Sequence, residues 1–252
     1  MTLVEPLITI AVPSFNQGIF LEEALASIFL QDIPVEVFVL DGGSSDSSLR
    51  VIRKWENRLA GWRSHADKGQ AAAINEGIAR GNSPYVCWLN SDDLFLPTGL
   101  KVLLDHMEKH KEAPAVYGRS WNLVQKNNKR YPVWVEPFRE PRLALRCIIS
   151  QPATLIRRDA WEAVGGVDES LHMAMDYDLW WKLFKFGGPL RFVDSYVALN
   201  RIHKSTKTNT NRRLHYKEAI KVVRKYHQHV PLKWWLAQPY AVWFKAILNT
   251  KL

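Results

Sequence analysis

Between Leu7 and Asp93 the chain alternates short β-rich runs with helical-period segments, and each run gives way to a loop of small polar and acidic residues. Leu7 to Val12 is stopped by Pro13 and followed by Ser14-Phe15-Asn16-Gln17-Gly18. Val35 to Leu40 ends in Asp41-Gly42-Gly43-Ser44-Ser45-Asp46. An element near Trp62 runs into Ser64-His65-Ala66-Asp67-Lys68-Gly69-Gln70, and Val86 to Leu89 stops in Asn90-Ser91-Asp92-Asp93. Between them, Leu21, Leu25, Ile28 and Phe29 recur at helical spacing, and 47–55 and 71–79 read as further helices. This order predicts an α/β fold with a parallel central sheet and its loops gathered at one edge. Ligands of open α/β sheets bind at that edge, beyond the carboxyl ends of the strands. Asn90, Asp92 and Asp93 there suit a hard cation held against a phosphate, and they equally suit a solvated turn or helix cap.

Further on, helices are expected over 97–110, 159–164 and 177–186, with strands at 115–117, 154–156, 191–193 and 196–199. Lys126 to Arg130 reads as a polar hairpin tip or loop. The polar run 201–211 reads as a loop, and two helical pieces, 212–227 and 232–248, end the chain. Of the formal net charge of +9, the excess lies in residues 201–252, where twelve Lys and Arg face the single acid Glu218; the first 200 residues are near neutral. A basic, tryptophan-bearing end on a near-neutral body points to an anionic surface approached from one side, not to nucleic acid contacts over the whole molecule. No nucleic-acid recognition module accompanies it, so no specific nucleic acid partner is expected. The apolar runs near the end fall short of the roughly 20 residues that span a bilayer, so the membrane reading is a helix in the interface; packing onto the body is its rival. Cys87 and Cys147 lack ligand spacing, and with no secretory signal at 1–9 the reading is reduced thiols in a cytoplasmic protein.

The ordered motifs Val12-Pro13-Ser14-Phe15-Asn16, Asp41-Gly42-Gly43-Ser44-Ser45-Asp46, Asp67-Lys68-Gly69-Gln70 with Asn75 and Gly77, Asn90-Ser91-Asp92-Asp93, Gly165-Gly166 with Asp168 and Glu169, and Asp176-Tyr177-Asp178-Leu179-Trp180 resemble a family 2 glycosyltransferase. The resemblance covers about the first 205 residues and implies an inverting enzyme of GT-A fold, similar to bacterial surface-polysaccharide transferases. Its sheet would be Rossmann-like and mostly parallel, flanked by helices. A transferase domain over 1–210 and a basic, amphipathic helical extension over 211–252 are expected. The glycines at 42 and 43 lack the spacing of a dinucleotide fingerprint or P-loop.

By that resemblance, Pro13, Phe15, Asn16, Asp41 and Asp67 hold the donor nucleoside. Lys68, Gln70, Asn75, Asn90, Ser91 and Lys204 reach its phosphates, ribose or sugar. Asp92 and His203 bind Mn²⁺ or Mg²⁺, which bridges the diphosphate; Asn90 stands where the family often has a first carboxylate. Asp176 is the implied general base, with Met175 where a second acid is usual. Trp121, Trp134 and Gln151 are candidates for binding the acceptor, a saccharide or lipid-linked saccharide. The donor is a nucleotide-diphosphate sugar, and the place of action is the cytoplasmic face of the inner membrane, reached peripherally through the tail. The rival reading is a noncatalytic sugar-nucleotide or polysaccharide-binding protein on the same frame.

Overall fold

The computed structural model describes residues 5–203, 206 and 211–239. Among these residues nine strands form one sheet: β1 (Ile8–Ser14), β2 (Val35–Asp41), β3 (Gly61–Ser64), β4 (Tyr85–Trp88), β5 (Leu94–Phe95), β6 (Ala115–Val124), β7 (Lys129–Pro132), β8 (Thr154–Arg157) and β9 (Arg191–Ile202). Their order is β3-β2-β1-β4-β8-β6-β9-β5, with β7 paired to β6. β3, β2, β1 and β4 are mutually parallel, as are β6 and β9; β8, β5 and β7 join antiparallel to their neighbours. Successive strands move outward from β1 to β3 and then jump back to β4. That reversal opens a crevice beyond the carboxyl ends of β1 and β4.

Alternation along β1 accounts for the layers. Ile8, Ile10 and Val12 face helices α1 (Gly18–Phe29), α2 (Ser48–Trp55) and α4 (Gly99–Lys109), whose Leu21, Leu25, Ile52, Leu103 and Met107 complete one core. Ala11 faces α3 (Gln70–Ala79) on the other side, where a Cβ on Gly77 would lie 2.5 Å from Leu40 and 2.7 Å from the Ala11 Cβ, so glycine permits the close approach. That second core also takes α6 (Arg158–Ala163) and α7 (Met175–Gly187), with α5 (Glu140–Leu145) at its margin. Trp88 of β4 stacks on Trp180 of α7 at 6.1 Å and meets Trp161 of α6 edge-on. Such pairs add about 0.5–1.5 kcal/mol beyond the area they bury, and here they fix α7 against the end of β4.

Several boundaries differ from the sequence expectation for identifiable reasons. β1 continues through Pro13, because β4 stops pairing at Ala11 and the missing Pro13 N–H points to that vacated side. α4 begins at Gly99 rather than Pro97, after Thr98 at φ 61°. β6 runs ten residues instead of three, and β9 is one strand instead of two, because a bulge near Tyr117 to Ser120 keeps the two in register.

The chain closes with α8 (Arg212–His227) and α9 (Leu232–Pro239); the rest of the expected 232–248 helix lies outside the described residues. α8 buries Ala219, Ile220, Val222 and Val223 and turns Lys217, Lys221 and Arg224 outward. Its Glu218 carboxylate accepts the N–H groups of His172 (3.1 Å), Met173 (2.7 Å) and Ala174 (3.0 Å), which satisfies donors left open ahead of α7. Lys225 and Tyr226 reach the buried Asp178 on α7 itself. The basic helix therefore braces the helix that carries Asp176. Among the described residues no helix is long and apolar enough to cross a membrane.

Candidate active site

Two loops meet at the carboxyl end of β1 and β2. Asn16, at φ 52°, takes the left-handed conformation that Asn tolerates, and its Oδ1 accepts the Ser45 N–H at 2.9 Å. Asp41 is fully buried: Oδ2 accepts from the Gly43 and Ser44 N–H groups and the Ser64 hydroxyl, and Oδ1 from the Ser44 hydroxyl. The expected base-binding carboxylate is thus spent on shaping its own turn. Asp46 joins α1 to α2 by accepting from Gly18 N–H and from Ser48; burial raises its pKa, but these hydrogen bonds prevail and hold it below the usual carboxylate range.

Beside this turn Phe15 is 61% exposed, and the Asp67 side chain keeps 15% exposure. They flank Gly42, where an added Cβ would lie 3.3 Å from the Phe15 ring and 3.7 Å from Asp67 Oδ1. A ring face to stack on and a carboxylate that accepts an N–H are the groups a nucleobase calls for, and both border Gly42. Asp67 is held by the Gly69 N–H (2.8 Å) and by Arg63 (2.8 Å), a residue the sequence reading did not select. Arg63 is buried and also binds Glu76 of α3 and the Asp41 carbonyl, so one guanidinium ties β2, β3 and α3 into the wall of the crevice. Lys68 is exposed at the rim. Ser14, next to Pro13, ends β1, and its buried hydroxyl has no hydrogen-bond partner among the described residues.

Beyond β4, Asn90 to Asp93 form a turn closed by Asp93 N–H to the Asn90 carbonyl at 3.0 Å, with Ser91 buried inside it. The Asn90 amide is a junction. Its Oδ1 accepts from Gln70 (2.7 Å), and its Nδ2 donates to Asp93 (3.0 Å) and Gln151 (3.2 Å), while Gln151 Nε2 donates to the Trp88 carbonyl at 2.8 Å. Gln70, Asn90 and Gln151, far apart in sequence, are thereby brought together. The pairing of Leu94 in β5 with Leu199 in β9 carries Arg201 and His203 to the same turn. Arg201, also missed in the sequence, donates to Asp93 Oδ1, the Asp92 carbonyl, Gln125 and Glu23, and lies 4.8 Å over the Phe20 ring. Burial and the neighbouring Asp92 charge push the Asp93 carboxyl up, against the pull of Arg201 and Asn90. Asp93 is a supporting residue.

Asp92 and His203 remain facing the crevice. Asp92 Oδ2 lies 2.9 Å from His203 Nε2, and the imidazole packs on Phe20 at 4.7 Å. One carboxylate oxygen and one imidazole nitrogen converging on a point suit Mn²⁺ or Mg²⁺, with the ion replacing the hydrogen bond. Among the described residues no group of three or more His, Cys, Asp or Glu gathers at ion-binding distance, so most ligands would have to come from a diphosphate and water.

Asp176 occupies the first turn of α7, where Oδ1 accepts the Tyr177 N–H at 2.8 Å. Its charge reaches Cys147: burial first, and Asp176 next, push that thiol up, while Arg146 opposes them. The Leu143 carbonyl of α5 accepts from the Tyr177 hydroxyl, so the stretch from Leu143 to Gln151 joins the first turn of α7 to the Asn90 turn. Asn75 stands apart from this group; its amide exchanges both hydrogen bonds with Val167 and also meets Glu169, fastening the Gly165-Gly166 loop. Trp121 stacks on Tyr196 at 4.1 Å within the sheet, whereas Trp134 is exposed. Lys204 lies outside the described residues.

The family model described as Glycosyl transferase family 2 matches residues 9–165, a span that includes the loops just described. An uncharacterized glycosyltransferase of Rickettsia prowazekii is 26% identical over 214 residues, covering 81% of this chain and 67% of the relative. Other sequence relatives are longer: the chain spans 35% of a glycosyltransferase of Rickettsia conorii and 19% of the chondroitin synthase of Pasteurella multocida. Among solved structures, Staphylococcus aureus TarS 1–349 in complex with UDP-GlcNAc superposes with a TM-score of 0.73 at 17% identity, over 93% of this chain and 73% of that one. The mannosyltransferase PcManGT of Pyrobaculum calidifontis, in complex with GDP-Man and Mn²⁺, gives 0.68 at 21% identity, over 95% and 73%. These likenesses establish a GT-A-like frame for the mixed sheet and its helices.

Proposed function

The chain belongs to glycosyl transferase family 2, and from that premise we propose that it moves a sugar from a nucleotide-diphosphate donor to a hydroxyl of a saccharide or lipid-linked saccharide, with inversion at the anomeric carbon. The observation that carries this reading is the convergence of the Asn90 turn, Gln70, Gln151 and His203 at the β1–β4 crevice. Phe15 and Asp67 take the base, and Gln70 with Asn90 orient the ribose or donor sugar. Asp92 and His203 hold a divalent cation, whose chemistry is to offset negative charge on the leaving diphosphate. Solved relatives with UDP-GlcNAc or with GDP-Man and Mn²⁺ on the same frame support a donor of this class.

Asp176 then serves as general base. It accepts the acceptor hydroxyl proton as the oxygen attacks from the face opposite the diphosphate, when that proton has become more acidic. Positioning comes from the rigid elements: Trp88 and Trp180 lock α7 to the donor turn, and Glu218 locks the approach to α7. Incubation of the chain with a panel of nucleotide sugars, Mn²⁺ or Mg²⁺ and saccharide acceptors is expected to release nucleoside diphosphate in step with product. Donor binding with no turnover on any acceptor would favour the noncatalytic reading instead.

The C-terminal helices support peripheral attachment to an anionic membrane. α9 exposes Leu232, Trp235 and Leu236 beside Lys233, and α8 turns its basic face outward. The full chain is expected to float with anionic liposomes and to lose that association when Leu232, Trp235 and Leu236 are changed to Ser. Equal flotation of both proteins would remove these side chains from the account.

A further inference from the structure

The segment leading into the Gln151 turn carries charge that donor binding does not use. Residues 125–146 contain six Lys or Arg against two Glu. Both acids are committed, Glu136 to Arg142 at 2.9 Å and Glu140 to Lys185 at 3.0 Å. Lys126, Lys129, Arg130 and Arg139 are exposed and meet no carboxylate among the described residues. Arg146 is different in kind. It is half-buried, yet its guanidinium makes no hydrogen bond and no ion pair among the described residues, and it lies 4.9 Å over the ring of Trp134, which is 58% exposed.

A guanidinium carries five N–H donors, and a partly desolvated one ordinarily meets an anion. Stacked on an indole face, it keeps in-plane N–H groups for a planar or tetrahedral oxyanion, the geometry in which arginine binds bidentately. Its place in the chain says which molecule would bring that anion. Arg146 follows α5, whose Leu143 carbonyl accepts from the hydroxyl of Tyr177, the residue after Asp176, and Gln151 lies five residues further along at the Asn90 turn. The pair thus sits on the segment that joins the first turn of α7 to the Asn90 turn. An anionic molecule approaching Asp176 is repelled by that carboxylate, and Arg146 offsets the repulsion.

We infer that Arg146 and Trp134 form a subsite for an anionic acceptor, the indole face taking a sugar ring or the adjoining chain and the guanidinium taking a phosphate, diphosphate or carboxylate. The role as acceptor site rests on the glycosyltransferase reading; the anion site itself does not. The unpaired cations of the preceding segment extend the positive field that steers such a molecule in.

The test is calorimetric titration of the full chain in EDTA with UDP and GDP in excess, so that the donor end is out of competition. The probes are glucose, glucose 6-phosphate, glucuronate and farnesyl diphosphate. The wild type is expected to bind the anionic sugars about tenfold or more tightly than glucose. Arg146→Gln is expected to erase that preference, Arg146→Lys to keep part of it, and Trp134→Leu to weaken all sugar probes together. Arg146 has no hydrogen bonds to lose, so Arg146→Gln strands no buried partner, and matched melting temperatures check that it folds. If farnesyl diphosphate follows the same pattern the anion belongs to a lipid diphosphate; if only the sugars do, it belongs to the saccharide. No preference in the wild type, or an undiminished one in Arg146→Gln, overturns the inference. Absence of donor turnover in the nucleotide-sugar panel would sink the transferase proposal while leaving this binding result standing.

Discussion

Asp176→Asn is expected to bind donor as the wild type does and to transfer roughly 10²- to 10⁴-fold more slowly, the range that a positioned general base contributes. The substitution keeps size and an acceptor oxygen for the Tyr177 N–H, so the first turn of α7 is preserved. The helix is held independently of that carboxylate, by Trp180 on Trp88, by Glu218 beneath residues 172–174, and by Asp178 against Lys182, Lys225 and Tyr226. What is lost is the capacity to accept a proton. Single-turnover rates with donor saturating, set beside calorimetric donor affinity, separate the two effects; comparable rates in both proteins would remove Asp176 from the chemistry.

Asp92→Ala is expected to abolish the gain in donor affinity that Mn²⁺ or Mg²⁺ produces, a loss of at least about 10- to 100-fold, the cost seen even when outer partners of metal ligands are removed. Among the described residues its side chain hydrogen-bonds to His203 alone, and its carbonyl, which accepts from Arg201, survives the substitution. Folding is therefore spared, and His203 alone is left to a cation that favours oxygen donors. Donor titrations with and without the metal read this directly. A metal-dependent gain that persists in Asp92→Ala would contradict the assignment.

The sequence displays the first half of the molecule well, because buried parallel strands are nearly continuous apolar runs and their loops carry distinctive polar residues. Asp92, Gln70 and Asn90 lie in those loops or at their ends, whereas His203 follows the last strand and was marked by the family resemblance alone. The β6–β9 pair was harder to read: Arg119, Ser120 and Asn122 interrupt the apolar pattern of β6, and a bulge interrupts the register of β9. Arg63 and Arg201 carried no local signal, since their partners lie on other strands and helices; Arg201 joins residues 23, 92, 93 and 125. Asn75 misled for the same reason, because its partner Val167 is 92 positions away. Residue type marks what a side chain can do, and only the tertiary neighbours decide whether Asp41 spends its oxygens on a turn or Arg146 keeps its donors open.

Inversion at the anomeric carbon is the central claim, and it follows from the proposed single displacement, in which the acceptor oxygen loses its proton to Asp176 and attacks opposite the diphosphate. The direct measurement is ¹H NMR of the first product formed from the nucleotide sugar that the donor panel selects, read at the anomeric proton before any mutarotation. An α-linked donor is expected to give a β-linked product, and a β-linked donor an α-linked one. A product that keeps the donor's anomeric configuration would contradict direct displacement at this site.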